Sequence, residues 1–576
     1  MTLKRKVTDE SSSGSFQRNV NSSRFQCLEG TYENYKHIFS EAVNREEDAD
    51  RLFSQIVDLM SRTRNTADAY YPKSNDGGEV VAMGTEDTNA CGLLEGPDGG
   101  RLFEYEPTLI PKKKLCVTGE KSVQQVAAGG LHSVSLHQDG TVSTWGANDE
   151  YALGRGEVEE DDLHLIKPIL TSESGDVIKE IIQIGAGDNH TILLDIHGKV
   201  HVTGMYKDMD SGKWRDIGSR DAPIKGTHKF PIVVGGFGGE VSMIDAGNSW
   251  NAALSEDGCL YTWGMGNSGQ LARSKSMGAN IIKGKYIDST GKNNEYEDLD
   301  LTKLYMGEII VTKEKDWNGD YIIQEDGTFK TYDDFNYFHG KIRNTFLTPQ
   351  KVEWAGGNLG LKIEVLNFSC GDIHLLVVAR APGAFQTRVF SSGCSSFGQL
   401  GHGGTKNLHE LTPIEALDDK NICKVAAGNS HSLALSMDGK NLYSWGKIDA
   451  GALGLYDEKR TLEYDATSFL GTPKQVAFPD TLGGTPLVDI SCGETTSFAI
   501  TSTNSVYSWG YNENSQTGHF NDGETNLIPR PRLLDVICAV NIGLKRDSKK
   551  IVAKNCRVIR VAGGGQHSLM VINRYL

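Results

Sequence analysis

No run of about 18 consecutive apolar residues occurs in the 576-residue chain, so no segment reads as a membrane-spanning helix. Its ten cysteines are scattered, with no Cys-x-x-Cys pair and no signal-like leader. That usage fits a soluble protein of a reducing compartment rather than a disulfide scaffold. Positive charge is also scarce: 59 Lys and Arg stand against 75 Asp and Glu, for a net charge of −16. Such a surface disfavours broad attachment to nucleic acid and suits a basic protein partner. The motifs of bond-making chemistry are missing too, with no Walker loop, His-Glu-x-x-His or Gly-x-Ser-x-Gly. GMGNSG (264–269) matches G-x-G-x-x-G literally. It precedes no helix pattern, and its glycines belong to a repeat, so it reads as no dinucleotide site.

What the chain has is glycine, 66 residues, well above the usual ~7%. Much of it recurs in register. One half-unit reads VAAGGLHSVSL (126–136), IGAGDNHTILL (184–194), IDAGNSWNAAL (244–254), FSCGDIHLLVV (368–378), VAAGNSHSLAL (425–435), ISCGETTSFAI (490–500) and VAGGGQHSLMV (561–571). These align on Gly129, Gly187, Gly247, Gly371, Gly428, Gly493 and Gly564. A second half-unit, a strand ending in Trp-Gly or a relic of it, aligns on Gly84, Gly146, Gly204, Gly264, Gly393, Gly446 and Gly510. Between the halves lie hairpin signals such as QDGT (138–141), EDGC (256–259) and MDGK (437–440). Several short strands per period of about 60 residues describe the blade of a propeller. The first copy has only its second half and the last only its first. Joined, they complete a seventh blade and leave no open sheet edge. The predicted fold is therefore all-β, a seven-bladed β-propeller over 79–576.

Histidines 132, 190, 374, 431 and 567 each follow the aligned glycine by three residues, which predicts a structural histidine hydrogen-bonded within its blade. The step from Gly247 to Gly371 is double the others, so 275–345 is predicted to be an insertion of extra hairpins, with Asn-Gly and Asp-Gly turns. Residues 1–30 are Ser-rich and polar and read as a disordered tail. Apolar residues from Tyr35 to Met60 recur at helical spacing, so 31–78 is predicted to be a helical N-terminal extension. KRK (4–6) is compatible with nuclear import, whereas NREEDAD (44–50) argues against direct DNA binding. PKKK (111–114) could touch phosphates or an acidic protein patch.

One copy breaks the pattern. Where others have WGANDEYALG (145–154) or WGKIDAGALG (445–454), residues 204–218 read GMYKDMDSGKWRDIG. On residues alone, two readings stay open: a platform that binds a protein, and one that binds in order to change its partner's state. A single enlarged polar and aromatic projection on a regular disc favours the second.

The pattern AGxxHSxxL…DGxVxxWGxNxxGxLG resembles that of the regulator of chromosome condensation family over about 79–576. Members differ in activity, and the Gly-Trp-Arg-His-Thr motif of the plant ultraviolet-B photoreceptor is absent here. The blade order around the broken copy is similar to that of the guanine nucleotide exchange factors for the small GTPase Ran. The resemblance implies a projecting β-wedge built from Tyr206, Lys207, Asp208, Met209, Asp210 and Gly212. It implies exchange-face positions at Asp87, Asp188 and His567. At two further such positions this chain has Ser249 and Ser430, where family members often have Asp and His. It also implies a nuclear, chromatin-associated place, Ran as partner, contact with nucleosomes or histones, and a role in nucleocytoplasmic transport and mitosis. No metal, cofactor or covalent intermediate is needed. The alternative is a non-catalytic propeller scaffold for another protein.

Overall fold

The computed structural model describes residues 78–84, 90–92 and 104–110. Apart from short breaks, it also describes 122–204, 228–273, 349–382, 384–455, 468–539 and 549–574, with short strands at 206–207, 214–215 and between 281 and 300. The disordered tail expected for 1–30 and the helical extension expected for 31–78 lie outside the described residues, apart from Gly78, which forms a β-bridge to Val123 rather than a helix end. So do the Asn-Gly and Asp-Gly turns expected within 275–345.

Seven sheets, antiparallel but for one outer pairing in the seventh, form the seven blades of a propeller. Six have four strands each. In blade 1 the strands are Val123–Ala128, His132–His137, Val142–Gly146 and Lys167–Pro168, from the axis outward. Blade 7 is completed by both halves, because Glu79–Gly84 pairs with His567–Arg574 on one side and Glu104–Leu109 on the other. It also carries an unforeseen outer hairpin, Val536–Ala539 with Lys549–Val552, so that this sheet has six strands. Within the 275–345 insertion, two nested pairs are described: Ile281–Ile282 with Leu299–Asp300, and Lys285–Ile287 with Asn293–Glu295.

Two glycine columns make this geometry possible. A Cβ on Gly129 would lie 2.4 Å from the carbonyl oxygen of Gly187, and the same conflict passes from each aligned glycine to the next until Gly564 meets Gly129. Seven glycines thus let the innermost strands approach one another around the axis. The Trp-Gly glycines form the second column, with φ between +95° at Gly204 and +123° at Gly84, a region that side chains with a Cβ rarely adopt.

Adjacent blades bury apolar faces against each other, as where Val134, Leu136 and Val142 meet Ile181, Ile184 and Leu193. Polar links add direction. His132 Nε2 lies 3.0 Å from Thr191 Oγ1, His190 Nε2 lies 2.9 Å from Asn251 Oδ1, and His374 Nε2 lies 2.9 Å from Ser432 Oγ. His431 reaches Ser497 at 3.0 Å and His567 reaches Ser133 at 2.8 Å. The expectation of bonds within each blade is corrected: every one of these histidines bridges to the following blade. The ring extends tangentially from the innermost turn, over a glycine that gives it room, so its far nitrogen emerges beside the neighbour. Because Ser133 Oγ donates its own hydrogen to Ala90 O at 2.6 Å, it accepts from His567, whose Nε2 carries the proton. Burial holds these imidazoles neutral, with His132 and His374 lowered to about 3 and His190, His431 and His567 to about 4.

Candidate functional site: the channel mouth and the broken loop

The innermost strands surround an axial cavity of about 530 Å³. Its wall is stitched from blade to blade. Gln125 Nε2 donates to Ile184 O at 2.9 Å while Oε1 accepts from Ile184 N, and Gln183 repeats the device on Ile244. Asp489 accepts from Lys424 and, at 3.5 Å, from Arg560. Asp245 accepts Cys370 N–H at 2.7 Å, yet burial pushes its carboxyl up to about 7.

At one mouth stand residues directly after the aligned glycines, Gly130, Asp188, Asn248, Asp372, Glu494 and Gly565, with Asn429 beside Glu494. Asn248 Nδ2 donates to Asp188 Oδ2 at 3.0 Å and Asn429 Nδ2 to Glu494 Oε1 at 3.2 Å. Ser249 and Ser430 stand behind these amides, donating to Asn248 Oδ1 at 2.7 Å and Asn429 Oδ1 at 2.6 Å. Each serine therefore aims an asparagine, and each asparagine aims an acid. Burial, then the charges of Asp188 and Glu494, push the Asp372 carboxyl up to about 8. A cation delivered to this mouth would relieve that repulsion and favour the ionised form.

Of the expected exchange-face residues, the structure brings Asp188, Ser249 and Ser430 to this mouth. His567 belongs elsewhere, in the inter-blade links, at 1% exposure. Asp87 lies outside the described residues. Asp372, Glu494, Asn248 and Asn429 were missed. The signal was available in the column following the seven aligned glycines, which shows acids in three copies and asparagine in two.

The broken loop begins at the same end of blade 2, since Gly204 pairs with His190, two residues after Asp188. Beyond Gly204 the chain forms a separate two-stranded ladder, Tyr206 opposite Arg215 and Lys207 opposite Trp214, before it returns to the blade at His228 opposite Gly204. Asp208, Met209, Asp210 and Gly212 lie outside the described residues.

In blades 1, 5 and 6 one carbonyl of the preceding loop accepts from two buried side chains: Ala90 O from Ser133 and Trp145, Gln399 O from Ser432 and Trp445, Ala452 O from Ser497 and Trp509. The corresponding donors of blade 3 are Asn251 and Trp263, both fully buried. Their Nδ2 and Nε1 have no partner among the described residues.

Residues 79–570 match the model of the RCC1-like domain. The regulator of chromosome condensation of Xenopus laevis is 24% identical over 505 residues, covering 86% of this chain and 90% of that protein. The ultraviolet-B receptor UVR8 of Arabidopsis thaliana is 26% identical, covering 75% of this chain and 84% of the receptor. Among solved structures, Prp20p of Saccharomyces cerevisiae, described with its binding properties to Gsp1p and histones, superposes with a TM-score of 0.59 at 20% identity, over 87% of this chain and 93% of Prp20p. With the family model spanning all seven blades, the chain belongs to the RCC1-like domain family.

Proposed function

We propose that the protein is a guanine nucleotide exchange factor for the small GTPase Ran, acting without covalent chemistry. The observation that carries this reading is the separate two-stranded ladder at 206–215, rooted at the blade end that also bears the acidic mouth. The likeness to the regulator of chromosome condensation adds to it. A family member with another role, such as UVR8, has no bearing on that ladder.

An exchange factor binds the nucleotide-free GTPase better than the loaded one, and linkage weakens the nucleotide by the same factor. Each tenfold loss of nucleotide affinity requires about 1.4 kcal/mol of differential binding. A wedge of Tyr206, Lys207, Asp208, Met209, Asp210 and Gly212 that displaces phosphate-binding backbone supplies such a difference. Asp188, Glu494 and Asp372 compete for the cationic group that held the phosphates, and Ser249 and Ser430 keep the intervening amides aimed. His567 contributes by holding blade 7 to blade 1. The net charge of −16 speeds encounter with a basic partner face in a salt-sensitive manner. The reading places the protein in the nucleus, with histones or nucleosomes as a second partner, as Prp20p's binding to histones supports.

Release of a fluorescent GDP analogue from Ran tests this directly. Strong acceleration by the protein, abolished when 206–211 are replaced by a Gly-Ser turn, is the expected result. No acceleration by folded protein would leave the scaffold reading.

A further inference from the structure

A second cleft, of about 410 Å³, opens on the mouth face between blades 5 and 6. Glu494 belongs to both cavities: it stands at the axial mouth and, with Asn429, on the inner rim of this cleft. The outer rim is Leu527, which opens the outermost strand Leu527–Leu533 of blade 6 and pairs there with Tyr511. One side is the blade 5 loop that carries Ala450 and Ala452, small residues that leave the space open. That loop lies close to the rim, since a Cβ on Gly451 would stand 3.3 Å from Leu527 Cδ2. Lys447 and Tyr511 complete the lining, and both turn their polar ends elsewhere. The Lys447 ammonium stands 4.8 Å from the centre of the Phe397 ring of blade 4, and the Tyr511 hydroxyl donates to Glu513. What the two contribute to the cleft is therefore a hydrocarbon stem and a ring. Leu527 is 37% exposed beside them.

An apolar concavity that ends in a carboxylate fits a surface that offers a large apolar side chain next to a basic one. We propose that this cleft is a docking pocket for the GTPase, seating one such apolar side chain between Tyr511 and Leu527 while a neighbouring lysine or arginine meets Glu494. The proposal deepens the exchange-factor reading and rests on it. That reading brings the GTPase over the mouth with a cationic group near Asp188, Asp372 and Glu494, and the cleft continues outward from Glu494 on the same face. The broken loop leaves blade 2 at Gly204, across the axis from blades 5 and 6, so the partner is held on both sides of the mouth. The pocket's contact is made alike with loaded and empty GTPase. It sets the affinity of the complex and leaves the release step to the other side.

The test uses the full chain, with Leu527→Asp to charge the rim, Ala450→Trp to fill the cleft and Val488→Asp as a control. Val488 is another exposed apolar residue of blade 6, at 49%. It lies near the start of the innermost strand Leu487–Cys492, at the end remote from the mouth. GDP release from Ran is followed against exchange-factor concentration, and a melting curve is recorded for each variant. Leu527→Asp and Ala450→Trp should each raise the half-saturating concentration about fivefold to thirtyfold, with the saturating rate within about twofold of wild type. Val488→Asp should match wild type in both. Unchanged half-saturation in the cleft variants, a fall in saturating rate alone, or an equal weakening by Val488→Asp would overturn the proposal. If Leu527→Asp melts early, Ala450→Trp decides, because it adds bulk to a turn and removes no apolar contact. A wild type that does not accelerate release defeats the exchange reading and the pocket together. An active wild type with unaffected cleft variants defeats the pocket alone.

Discussion

Thr496→His should complete a link that the molecule leaves open. Thr496 occupies the histidine position of blade 6, and its neighbour across the blade boundary is Ser568, equivalent to Ser497 opposite His431. Thr496 Oγ1 and Ser568 Oγ are both buried without a partner among the described residues. Gly493 keeps the glycine over which the other imidazoles lie. A histidine there places Nε2–H on Ser568 Oγ, a net gain of about 1 kcal/mol at neutral pH. The gain should reverse in acid. His431 and His567, on either side, are lowered to about 4 by burial, against 6.5 in the unfolded chain. As pH falls below 6.5 the unfolded state takes the proton first, so stability is lost between 6.5 and 4 and is level below. The slope is about 1.4 kcal/mol per pH unit, so the variant should cross wild type a little below pH 6 and be about 1 kcal/mol less stable at pH 5. Urea midpoints of both proteins at pH 7.5 and pH 5 provide the measurement. A variant that gains nothing at pH 7.5, or is equally favoured at pH 5, would refute the inter-blade account of the histidines.

Three other outcomes follow from the same geometry. The Asp372 carboxyl, raised to about 8 from 3.8, favours the fold below the lower value and loses that contribution as pH rises through 8. Asp372→Asn should therefore flatten the decline in stability between pH 5 and pH 8 in thermal melts, by about 1.4 kcal/mol per pH unit, and leave the trend above pH 8 unchanged. Val81→Pro in the closing strand, where Val81 pairs with both Met570 and Leu109, should cost about 3 kcal/mol and show as a lowered urea midpoint with early exposure of blade 7 in amide exchange. Gly187→Ala, whose Cβ would lie 2.5 Å from Gly247 O, should destabilise by more than about 2 kcal/mol, whereas Gly175→Ala, where nothing lies within 4 Å, should show only the smaller cost of its φ of +86° in the same melts.

Much of this site was legible in part. The broken copy at 204 could be seen because its neighbours repeat, and its departure from the blade at Gly204 and separate pairing match that reading. Ser249 and Ser430 were visible as departures in a column, but their service to Asn248 and Asn429 was not, since it depends on the direction of adjacent side chains in a turn. His567 came to the exchange face only through the family resemblance of its closing Gly-Gly-Gln-His motif, while the repeat itself marked it as a structural histidine. Its ring turns sideways, and a period of the sequence carries no information about that direction. The outer hairpin of blade 7 was hidden for a different reason: Val536–Ala539 pairs in parallel with Glu104–Leu109, more than 400 positions away, and no local pattern announces such a partner.

The sequence by itself determined the number of blades, their order and the way the ring closes. Each of those follows from a repeat of short strands whose two terminal half-units must pair to satisfy their edges. It determined also where the array is broken. Only the tertiary structure decided what the columns do. Seven residues spaced about 60 apart become one mouth only when the innermost strands converge on an axis, and there Asp372 meets Asp188 and Glu494. Likewise, the bonds from His431 to Ser497 and from His567 to Ser133 exist only between blades. Hydrogen bonds and charge effects depend on distances of a few ångströms, and those distances are set by how the sheets pack.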